Sequence, residues 1–181
     1  MKTHIPVLIL LALLNFAMLS QAAEPALAIS IAVPSVDPGV ERAIVANDIH
    51  SHFPVILTNT SDQPQRIATD WNSWGDHALS FEVTDESGNK SVARRTPVAY
   101  WKNVLHWWIL QPGESMVMEV YFADPNKWQG FPHPASFGKP QTATLPAIFE
   151  FEPQKTTSGD PLWSGRITSK PGKYVFDNRM P

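Results

Sequence analysis

A chain of 181 residues with a formal net charge of −3 has the length of one ordinary domain and lacks the basic excess of a nucleic-acid binder. It contains no cysteine, which excludes disulfides, a cysteine-linked lipid anchor and thiolate metal sites. Its folded part must therefore be held by its core, and the seven tryptophans are the first candidates for that work.

The chain opens with Met1-Lys2-Thr3-His4, an apolar run from Ile5 to Leu19, and the small residues Ser20, Ala22 and Ala23. A positive start, a short apolar middle and a small-residue end describe a secretory signal peptide over residues 1–22, with cleavage before Ala23. The apolar run is short for a membrane span, so residues 23–181 are expected to form one secreted or periplasmic domain.

Alternation then predicts strands. Leu27, Ile29, Ile31 and Val33 share one face of a first strand stopped by Pro34, and Ser35 to Gly39 reads as a connection. Ala43 to Ala46 suits a short edge segment. Phe53, Val55 and Leu57 form an inward face on a strand whose Pro54 marks a start or an edge. Asn59 to Pro64 is dense in turn formers, which makes Gln65 to Asp70 the expected return strand of that hairpin. A polar, aromatic loop follows, Trp71-Asn72-Ser73-Trp74-Gly75-Asp76. Leu79, Phe81 and Val83 alternate next, Asp85 to Asn89 makes a turn, and Ser91 to Arg95 reads as an exposed, basic edge strand.

The strongest hairpin signal lies between Val104 and Phe122, where two apolar runs flank a Pro-Gly turn. Met116, Met118, Val120 and Phe122 share one face of the second run. The first run is apolar on both faces, so it should be buried on both sides or covered by a loop or a partner. Residues 123–142 form a long loop rich in proline and aromatics, which points to function or to poor order. Thr144 to Glu152 and Trp163 to Thr168 read as strands, Gln154 to Leu162 as a polar loop, and Lys170 to Pro181 as a tail that pairs at an edge or stays mobile. No stretch carries helical spacing, and seven to nine short strands with turn signals suggest an all-β, two-sheet antiparallel sandwich.

The succession NTSDQP, a paired-Trp turn, LSFEVTDESG, LQPGES and a closing WSGRITS resembles the small immunoglobulin-like β-sandwich domains of secreted bacterial proteins, mostly of unknown function. The resemblance spans about residues 27 to 169 and rests on turn chemistry, so it implies a fold more than an activity. The Asn-Ser-Asp, Asp-x-x-Gly and Pro-Gly-Glu turns are also similar to those of bacterial proteinase inhibitors of sandwich form, without an inhibitory residue that carries over. The Cys-Trp-Cys core of antibody domains is absent.

Trp107 and Trp163 sit in strand patterns and are expected in the core, whereas Trp71, Trp74 and Trp128 sit in loops beside Asn, Asp and Gln. Loop tryptophans in that company suit a recognition surface for a protein or peptide, with Asp76 as a polar rim and Phe131 at the head of a proline-stiffened loop. The expected function is a non-enzymatic binding module for protein or peptide. Two alternatives remain, a protease inhibitor using Phe131 to Pro140 and a glycan-binding domain stacking sugars on the tryptophans. His50, His52, Met116 and Met118 could offer copper soft ligands, but the methionines fit an inward strand face and the histidines a turn, so no metal or cofactor is expected. His106 reads as a packed core histidine. Asp70, Asp76 and His77 could form an acid-base set, though such residues in turns mostly cap backbone, and the chain has no G-x-S-x-G, H-E-x-x-H or phosphate-cradling loop.

Overall fold

Thirteen β-strands and no helix make up the described residues of the computed structural model, which are 25–33, 42–45, 51–100, 104–133, 139–152 and 161–177. Outside them lie the expected signal peptide, the Ser35 to Gly39 connection, His50, Trp101, residues 134–138 of the proline-rich loop, 153–160 of the polar loop, and the last four residues. Among the described residues no helix is long and apolar enough to cross a membrane.

In chain order the strands are β1 (Leu27–Ile31), β2 (Arg42–Val45), β3 (Phe53–Asn59), β4 (Gln65–Ala68), β5 (Leu79–Asp85), β6 (Lys90–Arg95), β7 (Trp107–Leu110), β8 (Ser115–Val120), β9 (Trp128–Gln129), β10 (Gln141–Leu145), β11 (Ala147–Phe151), β12 (Gly165–Thr168) and β13 (Gly172–Asp177). They form a three-stranded sheet, β1-β3-β8, an eight-stranded sheet, and a two-stranded ribbon of β4 and β7. Period-two patterning decides which faces meet. Every second residue of β1, of β3 and of β5 as far as Val83 is buried, and the inward residues of the two larger sheets join in one core.

The eight-stranded sheet is built on one long run that begins at Gln141, three residues before the expected Thr144. Gln141 to Phe151 runs against β5 in unbroken register, with Thr144 opposite Thr84 and Ala147 opposite Phe81. Pro146 interrupts it only by lacking an N–H, and its carbonyl still accepts from Glu82 N at 3.3 Å. On the other side β13 pairs with β10 and β12 with β11. Between them Ser169 patches the ladder, its backbone N–H donating to Ala147 O and its Oγ accepting from Ala147 N at 2.9 Å. The C-terminal segment is thus no loose tail. It lies between β10 and the parallel edge strand β2, with Tyr174 and Phe176 buried.

Two further expectations are corrected. Gln65 to Ala68 does not return along β3; it pairs with β7. Pro54 stands at the start of its strand, as its ring suggests, and that strand is central in its sheet. The long loop after β8 is largely structural, because Trp128 forms β9 against β6 and is 2% exposed, and Phe131 is buried as well. Phe131 packs against the rings of Phe53, Phe81, Phe122, Trp128 and Phe176, with centroids 5.1–6.3 Å apart. Gly130, at φ +93°, makes the bend that turns Phe131 inward, and a Cβ there would meet Val92 O at 2.4 Å.

Removing the core tryptophan should be costly and removing an exposed one should not. Trp128→Ala is expected to lower the unfolding free energy by about 3–5 kcal/mol, and Trp71→Ala, half exposed, to change it by no more than about 0.5 kcal/mol. Urea denaturation of both variants checks the contrast.

Candidate functional site

The turn between β7 and β8 sets the geometry of the site. Glu114 N donates to Gln111 O at 2.9 Å, Pro112 and Gly113 occupy the corners, and Gly113 has φ +79°. Pro followed by a glycine at positive φ is the type II arrangement. Its twist opposes that of a strand pair, so it splays the strands it joins, whereas the mirror-image turns close a hairpin. The expected hairpin is therefore absent: β7 pairs with β4, β8 pairs with β3, and neither pairs with the other. Asn59, fully buried, holds both bends in place. Its Nδ2 donates to Gln63 O and Leu110 O, and its Oδ1 accepts from Ser61 N and Oγ.

Between the splayed strands lies an open groove of about 740 Å³. Trp108, Ile109 and Leu110 of β7 and Ser115 to Glu119 of β8 line it, joined by Trp71, Val98, Tyr100 and the Asn126 to Trp128 segment. Trp71, Trp108, Ile109 and Val117 are 50–57% exposed. Of the run apolar on both faces, Leu105 and Trp107 pack against Ala68, Phe151 and Leu162 and Leu110 is buried, while Trp108 and Ile109 are not covered by the described residues. His106 is exposed rather than packed in the core, its ring 5.2 Å from that of Trp71.

One end of the groove is charged. Arg95, at the end of β6, donates from Nη1 to Asp70 O at 3.0 Å and Asp76 Oδ1 at 3.3 Å, and from Nη2 to Asp70 Oδ2 at 2.5 Å. Its guanidinium also lies 6.0 Å from the Trp128 ring, at the outer limit of a cation–π contact. Asp70 is 36% exposed and Asp76 only 2%. Asp76 Oδ2 is enclosed without a well-formed hydrogen bond, with His77 Nε2 3.7 Å away. The Tyr100 hydroxyl faces the same carboxylate; burial first, and then Asp76, push its pKa up to about 12.

The paired-Trp loop carries these groups on a rigid bend. Asn72, fully buried, accepts from Trp74 N and Gly75 N through Oδ1 and donates from Nδ2 to Thr69 Oγ1 and Val104 O. Gly75 packs so closely on Thr69 that a Cβ would stand 2.4 Å from its carbonyl oxygen.

The expected site residues part company here. Trp71 and Asp76 line the groove, Trp71 as an exposed wall and Asp76 as a buried anchor rather than a polar rim. Trp128 reaches the groove only as its floor, from a core position. Trp74 is half-buried away from the groove with its Nε1 unpartnered, and Phe131 is turned into the core, where it is not available as a reactive side chain. His77 meets Asp76, but Asp70 and Asp76 are committed to Arg95, which leaves that trio as an ion-pair network. His52 pairs with Glu119 at 3.2 Å on the outer face of the sheet, while Met116 and Met118 pack on the core side, so these imidazole and thioether groups do not converge. Among the described residues no three His, Cys, Asp or Glu side chains cluster as a metal site. Sequence reasoning missed Arg95, Tyr100, Trp108, Ile109 and Val117, although the two-faced apolar run did signal an unmet need for cover.

No family model, no curated protein and no solved structure matches this chain.

Alkaline absorbance titration tests the acidic end. Tyr100→Phe should remove a phenol that ionises near about 12, leaving the burial-raised Tyr174. Asp76→Asn should draw Tyr100 downward without returning it to 10, because burial, the larger cause, remains. Since the folded pKa is the higher one, the stability linked to Tyr100 is full below pH 10 and is lost as pH rises through about 12.

Proposed function

We propose that this chain is an exported, non-enzymatic binding module on a single immunoglobulin-like sandwich domain, and that it captures protein or peptide in the groove between β7 and β8. The observation that carries the reading is the groove itself, an open concavity of about 740 Å³ with large apolar side chains held half exposed on its walls. Keeping tryptophan, isoleucine and valine in contact with water forfeits burial free energy of roughly 1.5–3 kcal/mol for each fully exposed large side chain, so a cover that restores it is favoured. Aromatic anchors at the centre of a concavity with a charged group at one end are the ordinary composition of a recognition site. The sequence supports export through its first 22 residues. With Asp70 and Asp76 bound to Arg95, the acidic pair suits anchoring better than proton transfer.

Selection from a displayed library of random peptides of about twelve residues, enough for one strand, tests the reading. Binders should be recovered, and Trp108→Ala should weaken them by about 2 kcal/mol, roughly thirtyfold in Kd. Recovery of no peptide, together with a saturable tryptophan-fluorescence response to polysaccharide, would replace this reading with glycan binding.

A further inference from the structure

We propose that the groove takes an extended polypeptide segment that adds to β8 as a new edge strand and brings a lysine or arginine side chain to the Asp70 end. The proposal rests on the reading of the groove as a polypeptide site and adds how the chain is held and what it must carry.

The phase of the β3–β8 ladder fixes which backbone groups are free. Asn59 N donates to Glu114 O at 2.9 Å, and bonded pairs alternate along an antiparallel ladder. In the observed register the residues bonded across to β3 are therefore Met116, Met118 and Val120. The N–H and C=O groups of Ser115, Val117 and Glu119 point the other way, to an edge that no described strand occupies. The same residues line the groove. Unprotected edges of this kind invite another strand, and proteins guard them with lysine, proline or a bulge. β6 is guarded by Lys90, Arg94 and Arg95, whereas β8 reads Ser-Met-Val-Met-Glu-Val, with Val117 57% exposed at its middle. Strand addition supplies main-chain hydrogen bonds for affinity and leaves side chains of the incoming segment to find pockets.

Charge decides among occupants. The groove walls hold three carboxylates, Asp70, Asp76 and Glu119, against two cations, Arg95 and Lys127. Both cations are engaged, Arg95 by the two aspartates and Lys127 with its ammonium 3.8 Å from the centre of the Tyr121 ring. Glu119 lies 3.2 Å from His52 and the aspartates share the one Arg95, so the balance of the walls is one negative charge, at the Asp70 end. Asp76, nine-tenths buried and more, is already met by Arg95, His77 and Tyr100, whereas the Asp70 carboxylate beside it is partly open to solvent. Trp71 stands in the same wall to cover an alkyl stem and face a cation. A second copy of β8 would instead bring Glu119 and the same net negative wall against their like, and an acidic segment would do no better.

Calorimetric titration with two probes of about eight residues tests this, each alternating threonine and valine around a central lysine or a central glutamate, long enough to pair along one strand. The lysine peptide should bind at least about tenfold more tightly than the glutamate peptide, and Asp70→Asn should erase the preference. Val117→Pro removes an outward N–H and no bond to β3, and should abolish binding of the lysine peptide. N-methylation of alternate amides of that peptide, which leaves the protein untouched, should do the same. Equal affinity for the two peptides, or indifference to both backbone changes, overturns the proposal while library binders keep the broader reading intact. Dimerisation through β8 that Val117→Pro abolishes, with no affinity for the lysine peptide, overturns it in favour of a second copy. A library that returns nothing removes the broader reading itself.

Discussion

Everything else in this protein depends on one aromatic side chain, Phe131, which touches five other rings. Those rings come from β3, β5, β9, β13 and Phe122, two residues beyond β8, so a single contact set ties the three-stranded sheet to the eight-stranded one. Rings of this size bury roughly 150–250 Å² each and interlock edge to face, which gives the core directional contacts that aliphatic packing lacks. In a chain without cysteine, that cluster takes the place of a covalent tie. It also explains how a surface so rich in apolar groups can be carried at all, because the exposed groups of the groove walls, Trp71, Trp108, Ile109 and Val117, are not members of that cluster.

The two systems meet at Trp128. Its ring packs on Phe81 and Phe131 inside the core, and its outer side forms the floor of the groove beneath Arg95. Arg95 then spans from that floor to Asp70 and Asp76 on the paired-Trp loop. The loop is fixed by Asn72 and by the close approach of Gly75 to Thr69. A charged cluster on such a mounting has little freedom to reorganise, so a ligand would meet groups already in position.

Strand faces were legible in the sequence, and strand partners were not. Period two placed Phe53, Val55, Leu57, Phe81 and Val83 inward, as found, because alternation reports burial directly. Partnership depends on turn hand, and Gln111-Pro112-Gly113-Glu114 shows the difference. A Pro-Gly corner marks a reversal, but its type II twist splays the strands, and the hairpin read from composition is absent. Trp71 was legible as an exposed loop tryptophan, whereas Trp128 and Phe131 were not legible as core. Their segment has no alternation to read, since a two-residue strand and a glycine at positive φ aim them inward. Arg95 looked like an edge guard because its partners, Asp70 and Asp76, lie some twenty residues away and meet it only through the fold.

The parallel pairing of β2 with β13 has a consequence for the order in which the chain can fold. Arg42 stands opposite Tyr174, a separation of about 130 residues that must be closed before the pairing returns any free energy. The central strand β10 likewise waits for β13 to fill its second side. During synthesis β2 and one side of β10 therefore remain open-edged until β13 arrives. Pairings of such long sequence separation slow folding, because their loop-closure entropy is lost before their contacts form.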